Sequence, residues 1–318
     1  MQSLGKTPLL RIGTRGSPLA LWQAERVRTL LCTVHGVDAG EIAIVTVSTE
    51  GDRSQASNRP LSDFGGKGVF SKEIEDRLIA GDLDIGVHSA KDMASVLPDG
   101  LVMPVYVERA DMRDAFVSSK ALRFEDLPPR AVVGTSSLRR RAQLLRVRPD
   151  LKLVEFRGNL HTRLKKLAEG QADATLVAAS GLERLGQSDR VASYLDPERF
   201  PPAPAQGAIG IEYRDSDRRI ADLVAPLDHA ETNDAVTAER AMLRVIDGSC
   251  RTPIGVVSKR VENMLHLKGE LLSPDGRICH DAEIAGLAVE AVVLGARLGE
   301  KLLEMAGADF LAALKAGS

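Results

Sequence analysis

Short β-branched runs alternate with amphipathic helical segments along this chain, and the alternation starts twice. In the first stretch, residues 9–13 read as a strand, and Thr14-Arg15-Gly16-Ser17-Pro18 as a turn into a helix. Ser17 is placed to cap that helix and Pro18 to open it. Ala20, Ala24, Val27 and Leu31 then fall on one buried stripe. Residues 41–49 follow as a strand, 70–80 as a helix, and 83–88 and 102–107 as strands. A charged crossing spans 108–114, and the pattern restarts with strands at 130–134, 152–156 and 174–178 and helices at 137–148 and 160–169. The Pro-rich segment 200–204 crosses back, and 208–213 reads as a strand returning to the first sheet. Strands alternating with helices predict an α/β fold with mainly parallel sheets. Two such units joined by two crossings leave a cleft, and ligands of open α/β sheets bind at the carboxyl ends of the strands. From about Asp228 the character changes: a helix over 232–246, with Ala235, Ala238 and Met242 on one face, three short strands at 255–259, 265–271 and 278–284, and helical ends at 289–305 and 310–315. That is a small α+β domain. The expected division is 1–107 with 207–225, then 113–201, then 228–318.

Charge narrows the partners. Residues 130–170 hold eleven Lys/Arg against three Asp/Glu in a chain of 318 residues whose formal net charge is −2. A local anion site, or a set of solvated helix faces, fits this better than a nucleic-acid or membrane surface. Aromatics make up 3%, too few for base-stacking platforms. No apolar run reaches the ~18 residues that a membrane span needs, and no long apolar stretch follows Lys6 and Arg11, so no signal peptide and a cytoplasmic location are expected. Cys32, Cys250 and Cys279 are odd in number and widely spaced, which argues against a disulfide framework, and neither CxxC nor HExxH spacing suggests a metal.

Polar groups cluster at the predicted strand ends. His88-Ser89-Ala90-Lys91-Asp92 puts a cation and an anion side by side after a strand, which suits an anionic substrate and a cationic intermediate, or a plain surface turn. Gly134-Thr135-Ser136-Ser137-Leu138-Arg139-Arg140 is a glycine turn into a hydroxyl-capped helix start, a natural anion site. Arginines in that first turn oppose the helix dipole, which points to an anionic partner. Their planar forks suit carboxylates or phosphates. Phe156-Arg157-Gly158-Asn159-Leu160-His161-Thr162-Arg163 repeats the scheme, and Arg15 is a further instance. Together they imply a polyanion. Gly65-Gly66-Lys67-Gly68 is a glycine loop, not a nucleotide P-loop, since no Ser/Thr follows the lysine. Gly248-Ser249-Cys250-Arg251-Thr252-Pro253 places a cysteine in a small-residue loop: most free cysteines are small buried apolar groups, while the loop position beside Arg251 suits an accessible thiolate, and the residues alone leave both readings open.

Taken in order, Thr14-Arg15-Gly16-Ser17-Pro18-Leu19-Ala20, Gly65-Gly66-Lys67-Gly68, His88-Ser89-Ala90-Lys91-Asp92, Gly134 to Arg140, Arg157-Gly158-Asn159, Pro204-Ala205-Gln206-Gly207-Ala208 and the Cys250 loop form a specific set. The chain resembles the porphobilinogen deaminase (hydroxymethylbilane synthase) family from about Leu9 to Ile254, and more loosely to its end. The resemblance implies two α/β lobes like those of periplasmic binding proteins, plus the small C-terminal domain. It implies a transferase that condenses four porphobilinogen molecules head to tail, releasing ammonia each time, and then frees hydroxymethylbilane by hydrolysis. The implied cofactor is dipyrromethane, two pyrrole rings joined by a thioether to Cys250. The acetate and propionate groups on every ring then supply the polyanion.

By the same resemblance Asp92 is the catalytic carboxylate, stabilising positive charge as ammonia leaves. Ser89, Lys91, Thr135, Ser136, Ser137, Arg139 and Arg140 would hold the cofactor. Arg15, Ser17, Gln23, Lys67, Phe70, Arg157, Arg163, Arg184 and Gln206 would hold substrate and growing chain. No metal, nucleic acid or membrane partner is implied, and a monomer is expected. Asp63 stands where the family often has a lysine, so the basic contribution of that loop falls to Lys67. A non-catalytic two-lobed anion-binding protein is the alternative, but it leaves the cysteine loop and third domain without a role.

Overall fold

A computed structural model describes residues 8–51, 70–246 and 252–316. Its described residues form two compact units, Met1–Arg109 with Ala208–Asn233, and Ala110–Gly207 with Asp234–Ser318.

In the first unit, β1 (Leu10–Arg15), β2 (Ile42–Val47), β3 (Ile85–Ser89), β4 (Leu101–Tyr106) and β10 (Ile209–Arg214) make a sheet of order β2-β1-β3-β10-β4. β1 pairs in parallel with β2 and β3, while β10 is antiparallel to both its neighbours. The returning strand therefore joins the first sheet as expected, but against the prevailing direction. Helix α1 (Pro18–His35) starts where Ser17 accepts the Ala20 amide and stops at Gly36, whose φ of 65° turns the chain left-handed. Its buried face is Gln23, Ala24, Val27 and Leu31. Ala20 is only half-buried, so Gln23 takes the place expected for it: the stripe turns toward β3 to meet Ser89. Leu10, Ile12, Ile85 and Ile211, all fully buried, lie with this helix and α6 (Arg218–Val224) in one core. Each such side chain contributes roughly 1.5–3 kcal/mol on leaving water. Helix α2 (Lys72–Ile79) buries Ile74 and Leu78 in a second apolar cluster.

The second unit repeats the plan. β5 (Asp114–Ser118), β6 (Val132–Gly134), β7 (Lys152–Val154), β8 (Ala174–Ala178) and β9 (Ser193–Tyr194) are ordered β7-β6-β8-β5-β9. β6 is parallel to β7 and β8, and β5 is antiparallel to β8 and β9. Helices α3 (Leu138–Val147), α4 (Leu160–Ala168) and α5 (Ala179–Arg184) connect them. In each sheet, then, an antiparallel strand reached by a crossing is inserted beside the third parallel strand. Strand β5 and helix α5 were not expected. β5 begins inside the charged crossing, where Arg113 and Asp114 mask a run that is otherwise apolar and buried.

The rest of this unit carries α7 (Ala230–Val245) from Asp234 onward and the antiparallel meander β11 (Ile254–Val261), β12 (Met264–Leu272), β13 (Cys279–Leu287). Ala238 and Met242 of α7 pack on Val256, Leu265 and Leu267, with Leu294, Leu298 and Leu302 of α8 (Ala291–Ala316) closing the core. Gly307, at φ 71°, interrupts α8 and separates the two helical ends expected from the sequence.

Candidate functional site

The parallel register brings the functional candidates of each unit to one sheet edge. In the first unit Arg15 is level with Val47 at the carboxyl ends of β1 and β2, and β3 ends at Ser89. The chain then makes a tight turn, Ala90–Asp92, anchored where the Ala90 amide donates to the Ala208 carbonyl at 3.1 Å. This turn leaves Asp92 exposed and Lys91 half-buried. Gln23 Nε2 donates to Ser89 Oγ at 2.8 Å, tying the helix to the end of β3. The Arg15 guanidinium stacks over the Phe70 ring, 4.3 Å from its centroid. Beneath the turn, His88 is buried with its Nε2 3.0 Å from Glu212 Oε2 of β10, off the line of a hydrogen bond. Gly86 makes room for that imidazole, since a Cβ there would lie 2.6 Å from Nε2. Glu75 of α2 faces the same buried pair; burial, then Glu212, raises its carboxyl above the usual range, against opposing pulls from Ser71 and His88. Lys67 and Cys250 lie outside the described residues.

In the second unit the edge is made by the ends of β6, β7 and β8 and the start of β5. Gly134 ends β6 against the Phe156 ring, 2.4 Å from where a Cβ would stand. Thr135, Ser136 and Ser137 then lead into α3. Ser137 Oγ accepts the Arg140 amide, Thr135 Oγ1 accepts the Ser137 amide, and Ser136 Oγ donates to the Phe156 carbonyl at 2.9 Å. All three hydroxyls thus shape the helix start.

Arg139 and Arg140 are 5% and 4% exposed, so their guanidiniums lie within the helix start rather than on its surface. Both turn inward to Asp114, the first residue of β5, which is 1% exposed. Arg140 forms the two-pronged contact, Nε to Oδ2 at 3.1 Å and Nη2 to Oδ1 at 2.8 Å. Arg139 Nη1 lies 2.9 Å from Oδ2. Burial alone would raise the Asp114 carboxyl, but the two guanidiniums outweigh it and hold it far below the usual range. Arg139 Nε is buried with no hydrogen-bond partner among the described residues.

The remaining candidates differ in freedom. Arg157 is half-buried and pairs with the exposed Glu155 at 2.6 Å. Arg163 Nε donates to the Gly158 carbonyl at 2.9 Å, over a glycine at φ 110°. Arg184 is buried and donates to the Gly207 carbonyl; burial draws it down to about 10. Gln206, 1% exposed, gives its amide nitrogen to the Met112 carbonyl at 2.7 Å and to Asp114 Oδ1 at 2.8 Å. Its turn is strained at Ala205, φ 60°, while Gly207 takes φ 89° without a Cβ to clash. Buried Glu239 secures it by accepting the Ala205 amide at 2.6 Å. Asp114, Glu212 and Glu239 escaped the sequence reading: Asp114 is hidden in the charged crossing 108–114, Glu212 and Glu239 are lone acids in a strand and a helix pattern, and only burial marks them. Among the described residues no group of His, Cys, Asp and Glu could hold a metal ion, and no helix is long and apolar enough to cross a membrane.

Comparison with known proteins agrees with the sequence resemblance. The family model "Porphobilinogen deaminase, dipyromethane cofactor binding domain" matches residues 10–222, and "Porphobilinogen deaminase, C-terminal domain" matches 234–304. The chain is 48% identical over 311 residues to porphobilinogen deaminase of Nitrobacter hamburgensis, covering 98% of each. It is 50% identical over 301 residues to that of Paracoccus denitrificans, covering 95% of this chain and 96% of the other. Among solved structures it is similar to an ABC transporter periplasmic substrate-binding protein from Coxiella burnetii, with TM-score 0.42 and 16% identity over 73% of this chain and 97% of that one. With both family models matched in order and near-complete relatives at about half identity, the chain belongs to the porphobilinogen deaminase family.

Proposed function

We propose that Arg139 and Arg140, with Thr135, Ser136, Ser137, Ser89 and Lys91, hold a dipyrromethane bound through Cys250, and that Asp92 carries the chemistry. The activity is that of the family: four porphobilinogen molecules are condensed head to tail with loss of ammonia, and hydroxymethylbilane is released by hydrolysis, a transferase reaction of porphyrin and heme biosynthesis.

The residues present fit a carboxylate-bearing group. Two buried guanidiniums share one carboxylate, Asp114, which leaves a surplus of positive charge. The observation that carries the reading is the buried Arg139 Nε, a charged donor without a hydrogen-bond partner among the described residues. A charged donor left unmatched costs more than a neutral one, and a ligand carboxylate answers both the charge and the donor.

Bound dipyrromethane supplies the primer ring to which substrate is joined. The chain's own residues do the rest. Asp92, exposed on its turn, offers a fixed negative charge where positive charge develops as ammonia departs. Gln23, Ser89 and the Ala90 amide fix the height of that turn. Arg15 over Phe70, with Ser17, Lys67, Arg157 and Arg163, binds the carboxylates of substrate and chain. Arg184 and Gln206, both buried, serve the same subsites by holding the 203–207 turn.

A three-domain division, 1–107 with 207–225, 113–201 and 228–318, is supported by the break between the two family models at residues 222–234. A monomer in the cytoplasm acting on a small molecule, without nucleic acid or membrane, suits a chain of net charge −2.

Intact mass and peptide mapping of freshly purified protein test this. The expected result is a dipyrromethane adduct on Cys250. Cys32 packs against an apolar core, and burial, then Glu270, pushes the Cys279 thiol up to about 11, so neither is a ready nucleophile. A bare polypeptide mass, or an adduct on Cys32 or Cys279, overturns the assignment, and a bare mass favours the non-catalytic anion-binding alternative.

A further inference from the structure

Behind Arg139 lies a second buried carboxylate that does not touch it. Glu270, near the carboxyl end of β12, is 2% exposed. Between the two stands Gln143, one turn along α3 from Arg139 and 1% exposed. Its Oε1 accepts Arg139 Nη1 at 2.9 Å, while its Nε2 donates to Glu270 Oε1 at 2.6 Å and to the Pro201 carbonyl at 2.8 Å. Every polar atom of the amide is used. The other Glu270 oxygen meets Arg146 Nη1 at 3.0 Å.

The arrangement is an odd one for stability alone. A buried arginine and a buried glutamate normally satisfy each other directly, because an unpaired buried charge is costly. Here a neutral amide separates them: Glu270 takes its direct charge partner from Arg146, and Arg139 has only a share of Asp114 and the Pro201 carbonyl, on Nη1 at 3.0 Å. We propose that Gln143 is a spacer and positioning residue: it passes the Glu270 hydrogen bond to Arg139 while holding the carboxylate one amide away, so that Arg139 is not filled by a direct second ion pair and its Nε–H stays open to a ligand carboxylate. Burial opposes charge on both ends of the relay, lowering the Arg139 guanidinium and raising the Glu270 carboxyl, so each gains from a partner. The inference rests on the assignment of Arg139 to dipyrromethane.

A charge swap separates spacing from structural support. The double variant Gln143→Glu, Glu270→Gln keeps the same groups, the same net charge and a hydrogen bond between the two positions, but it sets the carboxylate against Arg139. Apo-protein, made in cells that produce no porphobilinogen, is incubated with porphobilinogen, and adduct formation is followed by intact mass, with melting temperature as the folding control. The swap is expected to load at least about tenfold more slowly than wild type, the scale of one charge-assisted hydrogen bond, with its melting temperature retained. Loading at the wild-type rate overturns the spacer, since a structural bridge would be restored by the swap. Arg139→Leu is the companion: if it loads normally, the assignment of Arg139 to the cofactor falls; if it loads slowly while the swap loads normally, only the spacer falls. Should the double variant fail to fold, Gln143→Glu alone decides by the same criterion.

Discussion

The two α/β sheets share one strand plan, yet their carboxyl edges are finished differently. At the first, the polar groups stand outward: Asp92 is exposed, Lys91 and Arg15 half-buried, and the buried His88–Glu212 pair lies beneath. At the second, the charges turn inward around Asp114, and Arg139, Arg140 and Arg184 are all buried. The difference teaches that one topology supports two electrostatic uses. An exposed acid on a rigid turn is suited to act on a charge that appears and disappears. A buried pair of guanidiniums with too little negative charge is suited to hold one that stays. Substitutions at matched places should therefore fail in different ways.

The largest effect is expected at Asp114. Replacing it with Asn removes the one carboxylate shared by Arg139 and Arg140 and leaves two like charges together in the interior. Breaking such a buried pair costs about 3–5 kcal/mol, to be read from denaturant unfolding. The pH dependence has a definite sign. The native carboxyl is depressed, so its contribution is fully present above the unfolded-state value of about 3.9 and declines as pH falls below it. The gap between wild type and Asp114→Asn should thus be constant near neutrality and narrow below about pH 4. A gap that widens on acidification would contradict the charge triad.

Asp92→Asn at the other edge should leave stability alone and strike turnover. The amide keeps shape and loses charge, an electrostatic loss on the order of 3–4 kcal/mol, or ~10²–10³ in kcat. Retention of more than about a tenth of the wild-type rate, outside that range, would remove Asp92 from the chemistry. Arg157→Leu comes next. Among the described residues its side chain pairs with the exposed Glu155, so the fold should tolerate the change within about 0.5 kcal/mol. The Cys250 adduct should form, while native mass spectrometry after incubation with porphobilinogen shows chains stalled at intermediate length. Arg140→Leu should instead yield apo-protein, and equal adduct distributions in the two variants would end the division, within the second edge, between arginines that hold the cofactor and arginines that meet the growing chain.

Much of this was legible in the sequence because strand ends and helix caps are written locally. Ser17-Pro18 and Ser137 cap where their neighbours require it, and the hydrophobic periods place eleven of the strands near their observed positions. Strand β5 was missed because Asp114 looks like loop until its two arginine partners, 25 and 26 residues on, are folded against it. Gln143 and Glu270 carry no local signal either: 127 residues separate them, and their meaning lies in a hydrogen bond that only the packing creates. The direction in which an arginine points is likewise invisible in one dimension. The same Arg-rich helix start can offer its charges to solvent or bury them on an acid from another strand.

The smallest effects come from the two N-caps, which test the comparison with almost identical chemistry. Ser17 Oγ accepts the Ala20 amide at 3.3 Å, and Ser137 Oγ accepts the Arg140 amide at 3.4 Å. Each opens the first helix of its own sheet. Alanine at either place removes one acceptor for an otherwise unmatched helix N–H, at a cost of about 1 kcal/mol, so the two variants should lose similar stability. Their functional losses should not match. Ser137→Ala loosens the turn from which Arg139 and Arg140 project, so adduct loading should slow while the KM of the loaded fraction is unchanged. Ser17→Ala disturbs the turn beside Arg15, so loading should proceed normally while KM for porphobilinogen rises a few-fold, in keeping with one weakened hydrogen-bonded contact. Loading kinetics and KM measured on both variants decide the matter: if each serine moves both quantities alike, the two edges do not divide holding from acting.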